Sequence, residues 1–285
     1  MSLEEDKLKI TKAFIEGINI SNVKLFEIIK ERFNDVRPIF PLIEFILDRL
    51  SAVTDLAMRG CNWDAEIIYR SALEALIKLL FITSAEGEEK NIRLREYWED
   101  LSEINSIKLS AQAKKSLKIA EKYDSDAVKM AFKPLVLSEE KEQELRTKWP
   151  GSIRRKVEQK WSFSEIIVFL ANTSDNKRIE EFIGLGHNYR YASHVTHADE
   201  TGVLIIKERQ QRPNEEREIA DFAHFIRLLS DSFFFCILIG LQVASHTKTD
   251  LKFFIDLGKS IEEASELGNK YLLKLQEDQS YDKFR

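Results

Sequence analysis

The chain has 285 residues, a formal net charge of -5 and a pI near 5.7, which exclude a global electrostatic attraction to nucleic acid and leave room only for a local basic patch. Hydrophobic residues at 44% and charged residues at 32% exclude a disordered chain and fit a globular one. Ten glycines and five prolines are few for this length, so long helices with few tight turns are expected.

Ser2 and Glu5 form a capping box before the apolar stripe Leu8, Ile10, Phe14 and Ile15, and open a first helix that Gly17 is expected to end. A second helix is predicted over about 22–33. Pro38 and Pro41 open a third, which carries Ile43, Ile46, Leu47, Leu50 and Val53 towards Gly60. Asn62 caps a fourth, with Ile67, Ile68, Ala72, Leu73, Leu76, Leu79 and Leu80 mostly in the core. The short break between these two predicts an antiparallel hairpin.

From Ala85 to Trp161 the sequence becomes charged, with shorter amphipathic segments near 88–104, 109–123 and 138–148. It reads as an inserted helical subregion or a lid over the bundle. Within it, Lys148-Trp149-Pro150-Gly151-Ser152 turns into a basic segment. Ser162 and Glu165 form another capping box. A histidine-rich helix is predicted over about 175–197, followed by a turn at Asp199–Gly202 and a short strand or buried connector at Val203–Ile206. Asn214 caps a long apolar helix to about Ala244, and a last amphipathic helix spans about 250–276. The apolar run from Phe233 to Leu241 is about half the ~20 residues of a membrane span and follows Arg227 and Asp231 closely, so a core helix is expected.

The reading is therefore all-α: residues 1–84 as N-terminal helices and half of a bundle, 85–161 as an insertion, and 162–285 as the other half. The start MSLEEDKLKI is acidic and lacks the apolar core of a signal peptide. Cys61 and Cys236 suit buried thiols in a reducing compartment. A cytoplasmic protein without membrane attachment is expected.

Three of five histidines and an arginine fall in one short segment, from His187 to His197. At about 100° per residue, His187, Arg190, His194 and His197 share one helix face. Imidazole titrates near neutrality and guanidinium grips phosphate through a planar fork. This set suits phosphodiester cleavage without a metal: one imidazole takes the proton of a ribose 2′-OH, an acid protonates the leaving oxygen, and Arg190 neutralises charge on phosphorus. Two other readings stay open. Arg190 and a histidine could be a polar tie between helices, or His187, His194 and His197 could ligate a metal.

Arg70 and Glu74 are i,i+4 neighbours in the apolar fourth helix. They read either as an ion pair at its edge or as a group in which Glu74 reaches across to orient an imidazole. Lys148, Arg154, Arg155, Lys156 and Lys160, bracketed by Trp149 and Trp161, form the most concentrated positive stretch. They could track phosphates and stack a base, or form a solvated helix face. No phosphate-binding glycine loop or nucleophile elbow is present.

The run from Ile68 to Ala75, with its R-S-x-x-E core, and the later Tyr191–His197 segment resemble a widespread bacterial family of helical proteins with no settled activity, over about residues 40–245. Arg190 and His197, an R-x6-H pair, also resemble the HEPN superfamily of helical bundles, many of them metal-independent ribonucleases of toxin and anti-phage systems. Tyr191 stands where those proteins usually carry Asn, Asp or His. This resemblance implies an endoribonuclease with no cofactor, a homodimer, RNA as substrate and a partner protein from a neighbouring gene. The alternatives are an interaction module held together by the Arg/His/Glu cluster, and a metal-dependent hydrolase.

Overall fold

A computed structural model describes residues 3–123, 125–173 and 179–278. The protein is all-α, with no strand among the described residues. In chain order the helices are α1 (Leu3–Glu31), α2 (Phe33–Val36), α3 (Phe40–Met58), α4 (Asn62–Thr83) and α5 (Gly87–Arg95). A π turn (Glu96–Asp100) then leads into α6 (Leu101–Lys122). Next come α7 (Asp126–Phe132), a 3-10 turn (Lys133–Leu135), α8 (Glu139–Lys148), α9 (Gly151–Lys160) and α10 (Phe163–Thr173). The C-terminal part holds α11 (Ile179–His197), α12 (Glu200–Gln211), α13 (Asn214–Thr247), α14 (Lys252–Ser260) and α15 (Glu262–Asp278).

Two compact units result: Met1–Thr83 with Leu170–Arg285, and Ser84–Phe169. The first is a bundle around α13, which packs against α1, α3, α4 and α15. α13 is long and apolar enough to cross a membrane by length and composition, but 67% of its most apolar window is buried inside the protein. Ala223, Leu228, Phe235, Cys236 and Ile239 along it are sealed, so its apolar surface is spent on the core. α3 and α4 form the expected hairpin, with Pro41 in the first turn of α3 and Gly60 in a left-handed conformation (φ 77°) at the reversal.

Several expectations are corrected. Gly17 does not end a helix: α1 runs unbroken through it, and a Cβ there would stand 2.6 Å from the ring of Phe233. The glycine is a notch that lets α1 approach α13, and the predicted second helix is the C-terminal half of α1. Val203–Ile206 is neither strand nor connector but lies in α12, whose N-cap is Asp199. Asn62 opens α4, and its Nδ2 donates to the Asp221 carbonyl of α13 (3.0 Å). The last helix is two, α14 and α15, parted at Ile261. Ser2 of the first capping box lies outside the described residues. The second box is present, with the Glu165 amide donating to Ser162 Oγ (3.4 Å).

The second unit has its own small core of Ile104, Ile107, Leu145 and Trp149, with Leu137 and Val157 against it. The π turn and α6 continue α5, where the sequence suggested a break near 104–109. Glu96 and Glu103, seven residues apart on this run, perform the same task twice. Glu103 accepts from Lys148 Nζ (2.6 Å) and Trp149 Nε1 (2.7 Å). Glu96 accepts from Lys160 Nζ (2.9 Å) and Trp161 Nε1 (2.9 Å). Each Lys-Trp pair ends a helix, α8 or α9, so one carboxylate receives both a cation and an indole at each helix end.

Candidate functional site

α11 lies along α4 and carries its polar residues in two sets. Phe182, Leu185, Ala192 and Val195 are buried and form the seam towards the bundle. His187, Arg190 and His197 are exposed on the opposite side, on one face as their spacing predicts. None of the three has a hydrogen bond or ion pair to another described residue. His194 shares their face but is engaged: its Nδ1 meets Asp199 Oδ2 at 2.7 Å. Asp199 Oδ1 meanwhile accepts from the Gly202 amide (3.0 Å), and these two bonds hold its carboxyl below the usual range. A Cβ on Gly202 would collide with the His194 carbonyl, so the start of α12 is pressed against the end of α11.

Arg70 and Glu74 form the expected i,i+4 pair (3.7 Å), half-buried beneath α11. Glu74 also takes Lys78 Nζ (2.9 Å) and the Tyr189 hydroxyl (3.4 Å). Arg70 Nη2 donates to that hydroxyl at 2.6 Å. Burial raises the Glu74 pKa, but Lys78, Arg70 and Tyr189 outweigh it and hold the carboxyl ionised below its ordinary value. The partner that Glu74 reaches on α11 is therefore a tyrosine, not an imidazole.

The carboxylate that does orient an imidazole is Glu66, two turns earlier on α4. Its side chain is fully buried, and its Oε2 accepts from His224 Nε2 (3.0 Å) and from Arg227, both on α13. Arg227 Nη1 continues to Asp231 Oδ2 (3.0 Å), which also takes Asn188 Nδ2 of α11 (3.4 Å). The Trp63 and His224 rings form a T-shaped pair with centroids 4.8 Å apart, and Arg209 lies over Trp63 while donating to Asp221 (3.1 Å). Burial pushes the Glu66 carboxyl up, and Arg227 and His224 more than reverse this. Burial lowers the His224 pKa below its usual value, and Glu66 only partly restores it. Burial raises the Asp231 pKa against the pull of Arg227.

The residue-type signal for this network was present in the sequence. Glu66 shares the buried face of Asn62, Ala65, Tyr69, Ala72 and Leu73, and His224 sits between Ala220 and Leu228 on the buried face of α13. Charged residues in register with apolar ones require partners, though spacing alone cannot say which.

Of the two readings of the basic stretch, base stacking does not fit where its tryptophans lie. Trp149 and Trp161 are 8% and 4% exposed, and their indole N–H groups are spent on Glu103 and Glu96. Neither offers a ring face for a base, because each closes a helix end within the second unit. Lys148 and Lys160 are paired to the same carboxylates. Arg154 is half-buried, while Arg155 and Lys156 are exposed. Among the described residues no three His, Cys, Asp or Glu side chains gather as a metal-ligand set, and His187, His194 and His197 do not form one.

Residues 36–210 match the family described as "Family of unknown function (DUF5677)". The chain belongs to this family. The DUF5677 match spans α3, α4, the second unit, α11 and nearly all of α12, and so includes Glu66, Arg70, Glu74, Asn188, Tyr189, Arg190 and His197. His224, Arg227 and Asp231 lie beyond it. No curated protein and no solved structure matches the chain.

Proposed function

We propose that this DUF5677 protein acts on RNA as a metal-independent endoribonuclease of a toxin or anti-phage system, through the exposed face of α11. Arg190 binds the scissile phosphate, His197 serves as general base or acid, and His187 assists. The observation that carries the reading is that His187, Arg190 and His197 lie together on a solvent-facing helix side with no internal partner among the described residues. His194, held by Asp199, has a supporting part only.

Arg190 and His197 are two turns apart, about 10 Å along the axis. That span suits a site completed by a second copy in which two α11 faces meet, as the HEPN resemblance implies. The test is incubation of the protein with total RNA, with and without EDTA, alongside His197→Ala and Arg190→Ala. Cleavage that survives EDTA and is lost in both variants supports the assignment. Cleavage unchanged in His197→Ala removes it.

A second reading has its own observation. The Glu66–His224–Arg227–Asp231–Asn188 chain ties α4, α13 and α11 together, as a non-enzymatic interaction module would require. On that reading total RNA stays intact and the network variants change only stability.

A further inference from the structure

The seam of α11 has a gap at its functional turn. Phe182 and Leu185 bury one end and Ala192 and Val195 the other, but the turn between them, which carries His187 and Arg190, puts Asn188 and Tyr189 against the bundle instead. Both are half-buried. At about 100° per residue, Asn188 lies on one side of the seam line and Tyr189 on the other. Each is gripped by a different helix. Asn188 Nδ2 donates to Asp231 of α13 (3.4 Å). Tyr189 bonds Arg70 (2.6 Å) and Glu74 (3.4 Å) of α4, with the Arg70 guanidinium 4.5 Å from its ring centre.

We propose that Arg70, Glu74 and Asp231 are positioning residues for the α11 face. By gripping Tyr189 and Asn188 from opposite sides, they fix the angle at which His187 and Arg190 meet the substrate. The inference rests on the function proposed above. Apolar burial is non-directional and tolerates a roll of the helix, whereas hydrogen bonds on both flanks oppose a roll in either sense. A roll of about 20° carries a side-chain tip at the helix rim by about 2 Å. A misplacement of about 1 Å is enough to cost on the order of a hundredfold in rate. Asp231 is itself held by Arg227, which Glu66 anchors. The buried network therefore acts on the open face through Asn188 without touching the substrate.

The test uses the full chain with spin labels at Ile183→Cys on α11 and Ile67→Cys on α4, both exposed positions, in a Cys61→Ser background with Cys236 sealed. Dipolar EPR reads the distance distribution between the labels. Tyr189→Phe removes one grip and keeps the ring, and Asn188→Ala removes the other. Expected is a broadened or shifted distribution in each variant, most in the double variant. Expected with it is a fall of at least about tenfold in kcat for RNA cleavage, with KM changed less than about twofold. A lowered melting temperature with unchanged label distances and unchanged kcat would overturn the proposal and leave the grips as stability contacts. If the unsubstituted protein leaves RNA intact, the endoribonuclease reading falls, while the label distances still decide whether the grips orient α11.

Discussion

Glu66 and His224 are 158 positions apart in sequence and join through a 3.0 Å hydrogen bond in the interior, with side-chain exposures of 0% and 3%. The same carboxylate oxygen neutralises Arg227. One anion thus serves two groups on α13. Removing it leaves a guanidinium with less compensation and an imidazole with no acceptor. Glu66→Ala is expected to lower the unfolding free energy by about 3–5 kcal/mol, the typical cost of deleting one partner of a buried charged pair. Urea denaturation checks it, and a loss under about 1 kcal/mol would contradict the picture of a buried anchor.

The same pair predicts a pH dependence. His224 has a folded-state pKa below its usual 6.5, and Glu66 has one below 4.5. Both are depressed groups, so each contributes stability that is present above its unfolded-state value and is lost as pH falls through its folded-state value. Burial disfavours protonated His224, Arg227 and Arg209 repel it, and its Nδ1 has no partner among the described residues to receive the added proton's bond. The melting temperature should fall on acidification below about pH 6.5, with a second decline from Glu66 below about pH 4.5. In His224→Gln the first decline should flatten. A melting temperature that is level from pH 7 to pH 5 in the unsubstituted protein would contradict this.

Binding to RNA should report the open face separately from chemistry. Arg190→Ala is expected to reduce the slope of log affinity against log salt by about 0.7, the share of one phosphate contact on a single strand. The melting temperature should stay put, because the exposed side chain makes no hydrogen bond or ion pair with another described residue. Fluorescence anisotropy with a labelled oligoribonucleotide over a salt series measures this.

Trp149 and Trp161 are expected to matter for folding and not for RNA. Trp149→Phe and Trp161→Phe each delete an indole bond to a glutamate and some buried ring surface, at about 1–3 kcal/mol apiece. RNA affinity should be unchanged. A selective loss of affinity with stability intact would return these residues to base stacking.

Gly202→Ala should be the most disruptive small change near α11. Its Cβ meets the His194 carbonyl, a backbone atom that can yield only by moving a helix end. A loss of about 1–3 kcal/mol is expected, together with weakening of the His194–Asp199 pair, visible in the histidine side-chain NMR signals.

Much of the architecture was legible from periodicity. The α3–α4 hairpin, the histidine helix and the long α13 all follow from where apolar residues recur and where Pro41 and Gly60 fall. Gly17 misled because a helical glycine that admits a neighbouring ring looks the same in sequence as one that ends a helix. The difference lies in Phe233, more than two hundred residues away. Val203–Ile206 misled because an apolar run of four carries no period. At the site, spacing placed His187, Arg190 and His197 on one face and paired Arg70 with Glu74. It pointed to Glu74 and missed Glu66 as the partner of an imidazole, since that depends on which face of α4 turns towards α13. The Lys-Trp pairs were visible as a basic patch, but their carboxylate partners lie 45 to 65 residues earlier in the chain.

The notch at Gly17 has a consequence for synthesis. α1 packs chiefly on α13 and α15, so the ring that fills its notch is made 216 residues after it. At about 5–20 residues per second, the first helix waits roughly 10–40 s with Ile10, Phe14, Leu25 and Ile28 uncovered. For that interval the nascent chain carries a long apolar ribbon whose final cover has yet to be made.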